Sequence, residues 1–297
     1  MAQMTPPEPQ SAADYDDRTT AAVKAVLIEI GQILGSFKGK FAVVGGAVPW
    51  LLLGNEDMPH VGTLDVDLGL DAEALGDGEY AKLVDALRGH GYEQREMLRR
   101  FQLVRTVPAN DGGNPIDIII DFLMPRDAEI VKNTPPIISE FAVQRADGAD
   151  LAVRFYQMVA IAGDMPAGGT NRVEIAVCSI PALLAMKGHA LNGRYKQKDA
   201  YDIYYCVRNF PGGPGALADA CRPLLDEPVA RDGYSRIAAK FDAEDAFGPH
   251  TVSLFLGEAG GFDDMSPEQL RVDAYRQVRA WLEALGLTQP TGNQGAP

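Results

Sequence analysis

The chain has 297 residues, 46% of them hydrophobic, which suits one large domain or two smaller ones with a sizeable core. Forty-one acids against 27 bases give a formal net charge of −14, which excludes a general nucleic-acid coat but leaves room for a local basic groove, because phosphate contacts need a basic surface. No run approaches the roughly 20 uninterrupted apolar residues of a bilayer span, and residues 1–18 are acidic and proline-containing rather than basic then apolar.

The reading is therefore a soluble, cytoplasmic protein without a membrane partner. Cys178, Cys206 and Cys221 are odd in number, lack CxxC spacing and sit in apolar runs, so they read as buried free thiols.

In chain order, residues 1–18 and 288–297 are poor in core formers and read as mobile tails. Residues 19–34 place Val23, Val26, Leu27, Ile30 and Leu34 at helical spacing, and residues 40–44 read as a short buried strand that ends in Gly45-Gly46. A helix follows over 47–53, with Trp50 and its leucine neighbours packing on the sheet, and Gly54 closes it. In TLDVDLGL, residues 63–70, alternation puts Asp65 and Asp67 on one strand face and Leu64, Val66 and Leu68 on the other.

Residues 79–90 form an amphipathic helix stopped by Gly91. Strands over 101–107 and 115–123 are joined by the turn-rich residues 110–114, and the second carries Asp117 and Asp121 on one face. Residues 172–178 are a further strand. From Ile180 the pattern turns helical: 181–191, 198–209, then near 215–225, 229–240 and 266–286, with a break at Pro211-Gly212-Gly213-Pro214. The fold class is α/β (α+β), with a mixed-sheet domain over 19–178 and a helical domain over 179–287.

Two acids one residue apart on a strand emerge on one face roughly 6–7 Å apart, a separation suited to a pair of metal ions about 3.5–4 Å apart. Magnesium takes oxygen ligands and keeps several waters, so two or three carboxylates are enough. A strand ending in Gly-Gly before a helix lets bare backbone N–H groups approach a phosphate. Alone, either feature is commonplace: Gly-Gly is usually a tight turn, and Asp-x-Asp is often a solvated face. In the order strand, Gly-Gly, helix, Asp-x-Asp strand, acidic strand, they point to a site.

That order, Val44-Gly45-Gly46 followed by Leu64-Asp65-Val66-Asp67-Leu68, resembles the nucleotidyltransferase superfamily signature, and within it the AbiEii-type toxins, including their MenT-like branch. Leu184-Ala185-Met186-Lys187-Gly188-His189-Ala190-Leu191, Gly193-Arg194 and Lys198-Asp199-Ala200-Tyr201-Asp202-Ile203-Tyr204 resemble that family's downstream Lys, Gly-Arg and Lys-Asp-x-x-Asp pattern. The resemblance spans residues 38–210. It implies a nucleotidyltransferase-like fold and an enzyme that moves a nucleotidyl group from a nucleoside triphosphate (NTP) to an acceptor, an RNA such as a tRNA end, as the toxin of a pair with a cognate antitoxin.

The resemblance also implies Mg2+ or Mn2+ on Asp65, Asp67 and Asp121, with Asp121 positioning or deprotonating the attacking hydroxyl. Asp117 shares that strand face, but an acid followed by two apolar residues and a nearby proline, as at Asp121, better matches the family. Gly45 and Gly46 would seat phosphate, and Lys187 would reach the triphosphate as a point charge. Asp199 and Asp202 would orient Lys187 or Arg194 or touch nucleotide or acceptor. Arg194, Lys196, Lys198 and Lys187 form a basic island in an acidic chain, although Lys198 and Asp202, four apart, also suit a plain helix-surface pair.

The sequence departs from the pattern at Ala47, where relatives carry a hydroxyl, and in a longer gap between Gly46 and Asp65 that residues 55–62 absorb. His60, His90, His189 and His250 have no metal-ligand spacing and read as structural or solvated. No nucleophile elbow and no GxxxxGK[ST] loop is present. Two rival readings are transfer to a small-molecule or protein hydroxyl and an inactive nucleotide-sensing or protein-binding module.

Overall fold

A computed structural model describes residues 9–55, 58–75, 78–96, 98–99, 101–109, 112–126, 143–194, 196–257 and 265–288. The expected tails therefore lie outside the described residues over 1–8 and 289–297, as do turn residues 110–111. The described residues form two compact units, one of Tyr15–Leu52 and Val61–Ser179, the other of Gln10–Asp14, Leu53–His60 and the chain from Ile180 onward.

In the first unit the order is α1 (Asp17–Ile33), β1 (Phe41–Val44), α2 (Ala47–Leu52), β2 (Asp65–Leu70), α3 (Glu79–Arg88), β3 (Gln102–Val107), β4 (Ile116–Pro125), β5 (Gln144–Ala146), α4 (Ala149–Arg154), β6 (Tyr156–Asp164) and β7 (Thr170–Cys178). Helix α1 starts two residues before the expected position because the Asp16 carboxylate accepts the Thr19 N–H at 2.6 Å and caps it. The seven strands form one mixed sheet in the order β3-β4-β2-β1-β7-β6, with β5 beside the far end of β4. Three elements, β5, α4 and β6, were not expected from the sequence. The outward residues of β6 (Tyr156, Met158, Ala160 and Ala162) are as apolar as its inward ones, so no period-2 alternation marks it.

Register decides which face is core. Val177, Val43, Leu68 and Phe122 pair across four strands, and each is fully buried. Helix α1 covers this face: Gly31 leaves room where Val173 of β7 comes within 2.7 Å of where a Cβ would lie. The neighbouring row, Val44, Asp67 and Asp121, belongs to the opposite face. A one-residue slip of β2 would drive Asp65 and Asp67 into the α1 core and expose Val66 and Leu68, so burial of the apolar row fixes where the acids stand.

The second unit carries α5 (Ile180–Gly193), α6 (Gln197–Asn209), α7 (Gly213–Cys221), α8 (Pro228–Lys240), α9 (Phe247–Gly257) and α10 (Pro267–Leu285). Its core includes fully buried Tyr201, Tyr204, Tyr205, Tyr234, Phe255 and Trp281. Helices α5 and α8 meet backbone to backbone: a Cβ on Gly188 would lie 1.9 Å from the Gly233 carbonyl oxygen, and one on Gly233 would lie 2.3 Å from that of Ala185. Only glycine permits that approach, which sets the depth at which neighbouring Lys187 sits. Helix α9 was not expected from the sequence; its Pro249 falls in the first turn, where a missing N–H costs no intrahelical bond. Ser11 and Ala12, expected in the N-terminal tail, are buried. The three cysteines are free and buried, as expected.

Candidate functional site

The acidic group of the first unit is built on β2 and β4. Asp65 and Asp67 alternate with fully buried Val66 and Leu68 and are themselves half-buried. β4 runs parallel to β2 in a register that sets Asp121 beside Asp67 and Ile119 beside Asp65. Asp121 is also half-buried, between fully buried Ile120 and Phe122. The three acids thus share one face, two strand positions along β2 and one strand spacing, about 4.8 Å, across to β4. Thr63, itself buried, donates its hydroxyl to Asp65 Oδ1 at 3.0 Å and so orients the first of them.

Asp117 stands apart from this group. It is exposed, lies across from Thr106 of β3, accepts the Thr106 hydroxyl at 2.6 Å and is ion-paired with Arg95. Partial burial pushes its pKa up, but the hydrogen bonds from Arg95 and Thr106 outweigh that and hold it below the usual carboxylate value. The two candidates left open by strand periodicity are therefore placed differently: Asp121 joins the acidic pair, whereas Asp117 is engaged with an arginine.

Gly45 closes β1 with a φ of 70°, in the left-handed region. A Cβ there would lie 1.9 Å from Asp67 Oδ2, so the turn and the acid are fitted to each other. Gly46 is buried behind it. Helix α2 has only six residues, so any phosphate seat here rests on the glycine backbone rather than on a helix dipole. Among the described residues, no three His, Cys, Asp or Glu side chains already enclose a point where a metal could sit. The donor set nonetheless fits magnesium, which accepts one or two carboxylates and fills its remaining positions with water.

The second unit holds the other predicted residues in a buried ionic cluster. Lys187 Nζ lies 2.7 Å from Asp199 Oδ1 and 2.7 Å from Asp202 Oδ2. Arg194 Nε donates to Asp199 Oδ2 at 2.8 Å, and Lys198 Nζ donates to Asp202 Oδ1 at 2.9 Å. Asp199 and Asp202 are fully buried, and Lys187 and Lys198 nearly so. Burial alone would raise the pKa of both acids. The adjacent Lys187, with Arg194 at Asp199 and Lys198 at Asp202, outweighs it and holds both below the usual range, Asp202 well below. Burial lowers the Lys187 pKa, but the two carboxylates outweigh it and raise the ammonium above its ordinary value.

Lys187, expected to reach a triphosphate, is thus held by two acids, and so is Lys198 by one. Three cations against two anions leave one net positive charge, and Arg194, with 51% of its side chain exposed, carries it outward. The helix-surface pair weighed for Lys198 and Asp202 does form, but it is buried.

One cluster member was set aside by sequence reasoning. His60 is buried, and its Nε2 lies 3.0 Å from Asp202 Oδ1. Desolvation, with help from Lys198 and against the pull of Asp202, lowers its pKa to about 4, so the ring is neutral and Nε2–H donates. Nothing in the stretch Met58-Pro59-His60-Val61 signals a partner more than a hundred residues away.

A family model described as Nucleotidyl transferase AbiEii toxin, Type IV TA system, matches residues 63–251. The matched stretch takes in Asp65, Asp67, Asp121 and the whole Lys187-to-Asp202 segment, and begins after Gly45-Gly46. No curated protein matches the chain.

Proposed function

The chain belongs to the AbiEii nucleotidyl transferase toxin family, and from that premise we propose that it moves a nucleotidyl group from an NTP to an RNA acceptor such as a tRNA end. It is a nucleotidyltransferase, of the kind that serves as the toxin in Type IV toxin–antitoxin systems. In this reading Asp65, Asp67 and Asp121 hold magnesium, or manganese in its place. The cations supply charge neutralisation at the triphosphate and at the departing pyrophosphate.

The observation that carries the reading is the register of Asp121 against Asp67 on a face where Gly45 is fitted to the same Asp67. Asp121 orients the acceptor hydroxyl and takes its proton as the hydroxyl oxygen bonds to the α-phosphorus. The bond from that phosphorus to the β-phosphate oxygen breaks, and pyrophosphate leaves. The Gly45 and Gly46 backbone seats phosphate. Arg194 contacts phosphate directly, because its fork is the exposed part of the cationic cluster. Lys187 and Lys198 add positive charge to the same cluster, and Asp199 and Asp202 fix the geometry of its cations. A cognate antitoxin is the proposed partner.

The net charge of −14 favours a second reading, transfer to a small-molecule or protein hydroxyl, since such acceptors need no basic surface. One experiment separates them: incubation with each α-labelled NTP, total RNA and protein, at rising salt. Label in RNA, falling steeply with salt, supports the RNA acceptor. Label in protein or small molecules alone overturns it, and no label in any fraction overturns the transfer reading.

A further inference from the structure

The segment Leu53–His60 joins α2 to the approach to β2, both parts of the first unit, yet it belongs to the helical second unit. What holds it there is one face of α6. Tyr201, Tyr205 and Asn209 are spaced four apart and therefore line up along that helix, with Asp202 beside them. The buried Tyr205 hydroxyl donates to the Leu53 carbonyl at 3.0 Å, and the His60 backbone N–H hydrogen-bonds to the same hydroxyl, so one side chain ties both ends of the segment. Between them, Asn55 donates to Asn209 Oδ1 at 2.6 Å, and Met58 is buried against the same asparagine.

At the far end His60 donates to Asp202 and packs on two rings, Tyr201 at a centroid distance of 5.3 Å and Tyr205, edge to face, at 4.7 Å. Two residues later Gly62, at a φ of 87°, is wedged in the first unit, where a Cβ would lie 2.1 Å from Thr20 Oγ1. The next residue, Thr63, donates to Asp65. The chain entering the acid strand thus makes a specific contact at His60, within the second unit, and two more at Gly62 and Thr63, within the first.

We infer that His60 is a positioning residue: with Tyr205 it latches the Leu53–His60 segment onto α6 and thereby restrains the short connection that presents Thr63 and Asp65. The inference rests on the proposed role of Asp65 and Asp67 as cation ligands. A histidine suits the latch because its neutral ring offers a single rigid donor to an acid that already receives two ammonium groups, without adding a third charge. A lysine there would overcharge the cluster, and an aliphatic side chain would remove one of the three donors that reach Asp202.

The test uses the full chain and the variants His60→Gln, which keeps a donor near the Nε2 position, His60→Leu, which does not, and Tyr205→Phe, which cuts the tie to Leu53 while leaving the His60 ring in place. Amide hydrogen exchange is followed over residues 61–67, with 170–178 as reference, together with Mn2+ binding to the protein alone. His60→Leu and Tyr205→Phe are expected to speed exchange over 61–67 at least tenfold against the reference strand and to weaken Mn2+ binding several-fold, with His60→Gln close to wild type. If His60→Leu fails to fold, Tyr205→Phe decides alone. Wild-type exchange over 61–67 in Tyr205→Phe, or in a folded His60→Leu, overturns the latch. Wild-type Mn2+ binding by an Asp65→Asn/Asp67→Asn variant would instead overturn the cation-ligand reading, leaving the exchange result to judge the latch separately.

Discussion

A methyl group placed on Gly45 would lie 1.9 Å from the Oδ2 atom of Asp67, a separation no pair of unbonded atoms tolerates. The glycine that ends β1 and the acid on β2 are therefore one fitted unit, and the backbone at Gly45, with a φ of 70°, is itself one that side chains resist. Gly45→Ala must displace the Asp67 carboxylate or the turn. The expected outcome is a loss of nucleotidyl transfer of at least about a hundredfold, since misplacement by an ångström costs that much. The accompanying loss of stability should be about 1–3 kcal/mol. Transfer rates and thermal melts of the variant check this, and a near-normal rate would refute the fitted pair.

Asp117 and Asp121 lie on the same strand face, and their consequences should diverge. Asp117→Asn alters an exposed pair with Arg95 and should change stability by less than about 1 kcal/mol while leaving transfer within a few-fold of wild type. Asp121→Asn should lower kcat by about a hundredfold or more at unchanged fold. Comparing kcat for the two variants, with circular dichroism to verify folding, tests the assignment.

The ionic cluster of the second unit separates structure from ligand contact. Lys187→Met leaves Asp199 and Asp202 buried with less compensation, and urea unfolding should report a loss of roughly 3–5 kcal/mol. Arg194→Ala removes a half-exposed partner, so its cost should stay near 1 kcal/mol. Its kinetic signature should be a KM for NTP raised several-fold. Equal stabilities for the two variants would show that burial does not divide the cluster in this way.

Acid should unfold the second unit in two stages. The folded pKa of His60, about 4, lies below its ordinary 6.5, so the unfolded chain binds the extra proton first. Its contribution is intact above pH 6.5 and is lost as pH falls toward 4, by up to about 3 kcal/mol. Asp199 and Asp202, whose folded values are depressed, contribute stability present above the unfolded carboxylate value and lost below it, as pH falls through their folded values. Lys187, whose pKa the two carboxylates raise, keeps its charge throughout, and Lys187 and Lys198 face the same groups. Urea unfolding at pH 7 and pH 4.5 should show a large drop for wild type and a smaller one for His60→Gln, whereas equal drops would contradict the neutral buried ring.

Much of the first unit was legible in the sequence, because strand periodicity and glycine punctuation are local. Two-residue alternation put Asp65 and Asp67 on one face, and the register with β4 then carried Asp121 to the same place. The choice between Asp117 and Asp121 was not decidable from periodicity, since it depends on where β2 begins opposite β4 and on Arg95, which lies outside both strands. Lys187 was legible as a charge on a helix, but its burial follows from the Gly188–Gly233 approach of α5 and α8, a tertiary contact. His60 was missed for the same reason, its partner Asp202 being separated by most of a domain. Strand β6 was invisible because its exposed face is apolar.

The most direct measurement of the central claim is a magnesium titration of transfer from α-labelled NTP by the wild-type, Asp65→Asn and Asp67→Asn proteins, all verified as folded. Wild type should show saturable magnesium dependence and no transfer in EDTA. Each variant should lose at least about a hundredfold in rate at saturating magnesium. Transfer at the wild-type rate by Asp67→Asn, or by wild type in EDTA, would contradict the account.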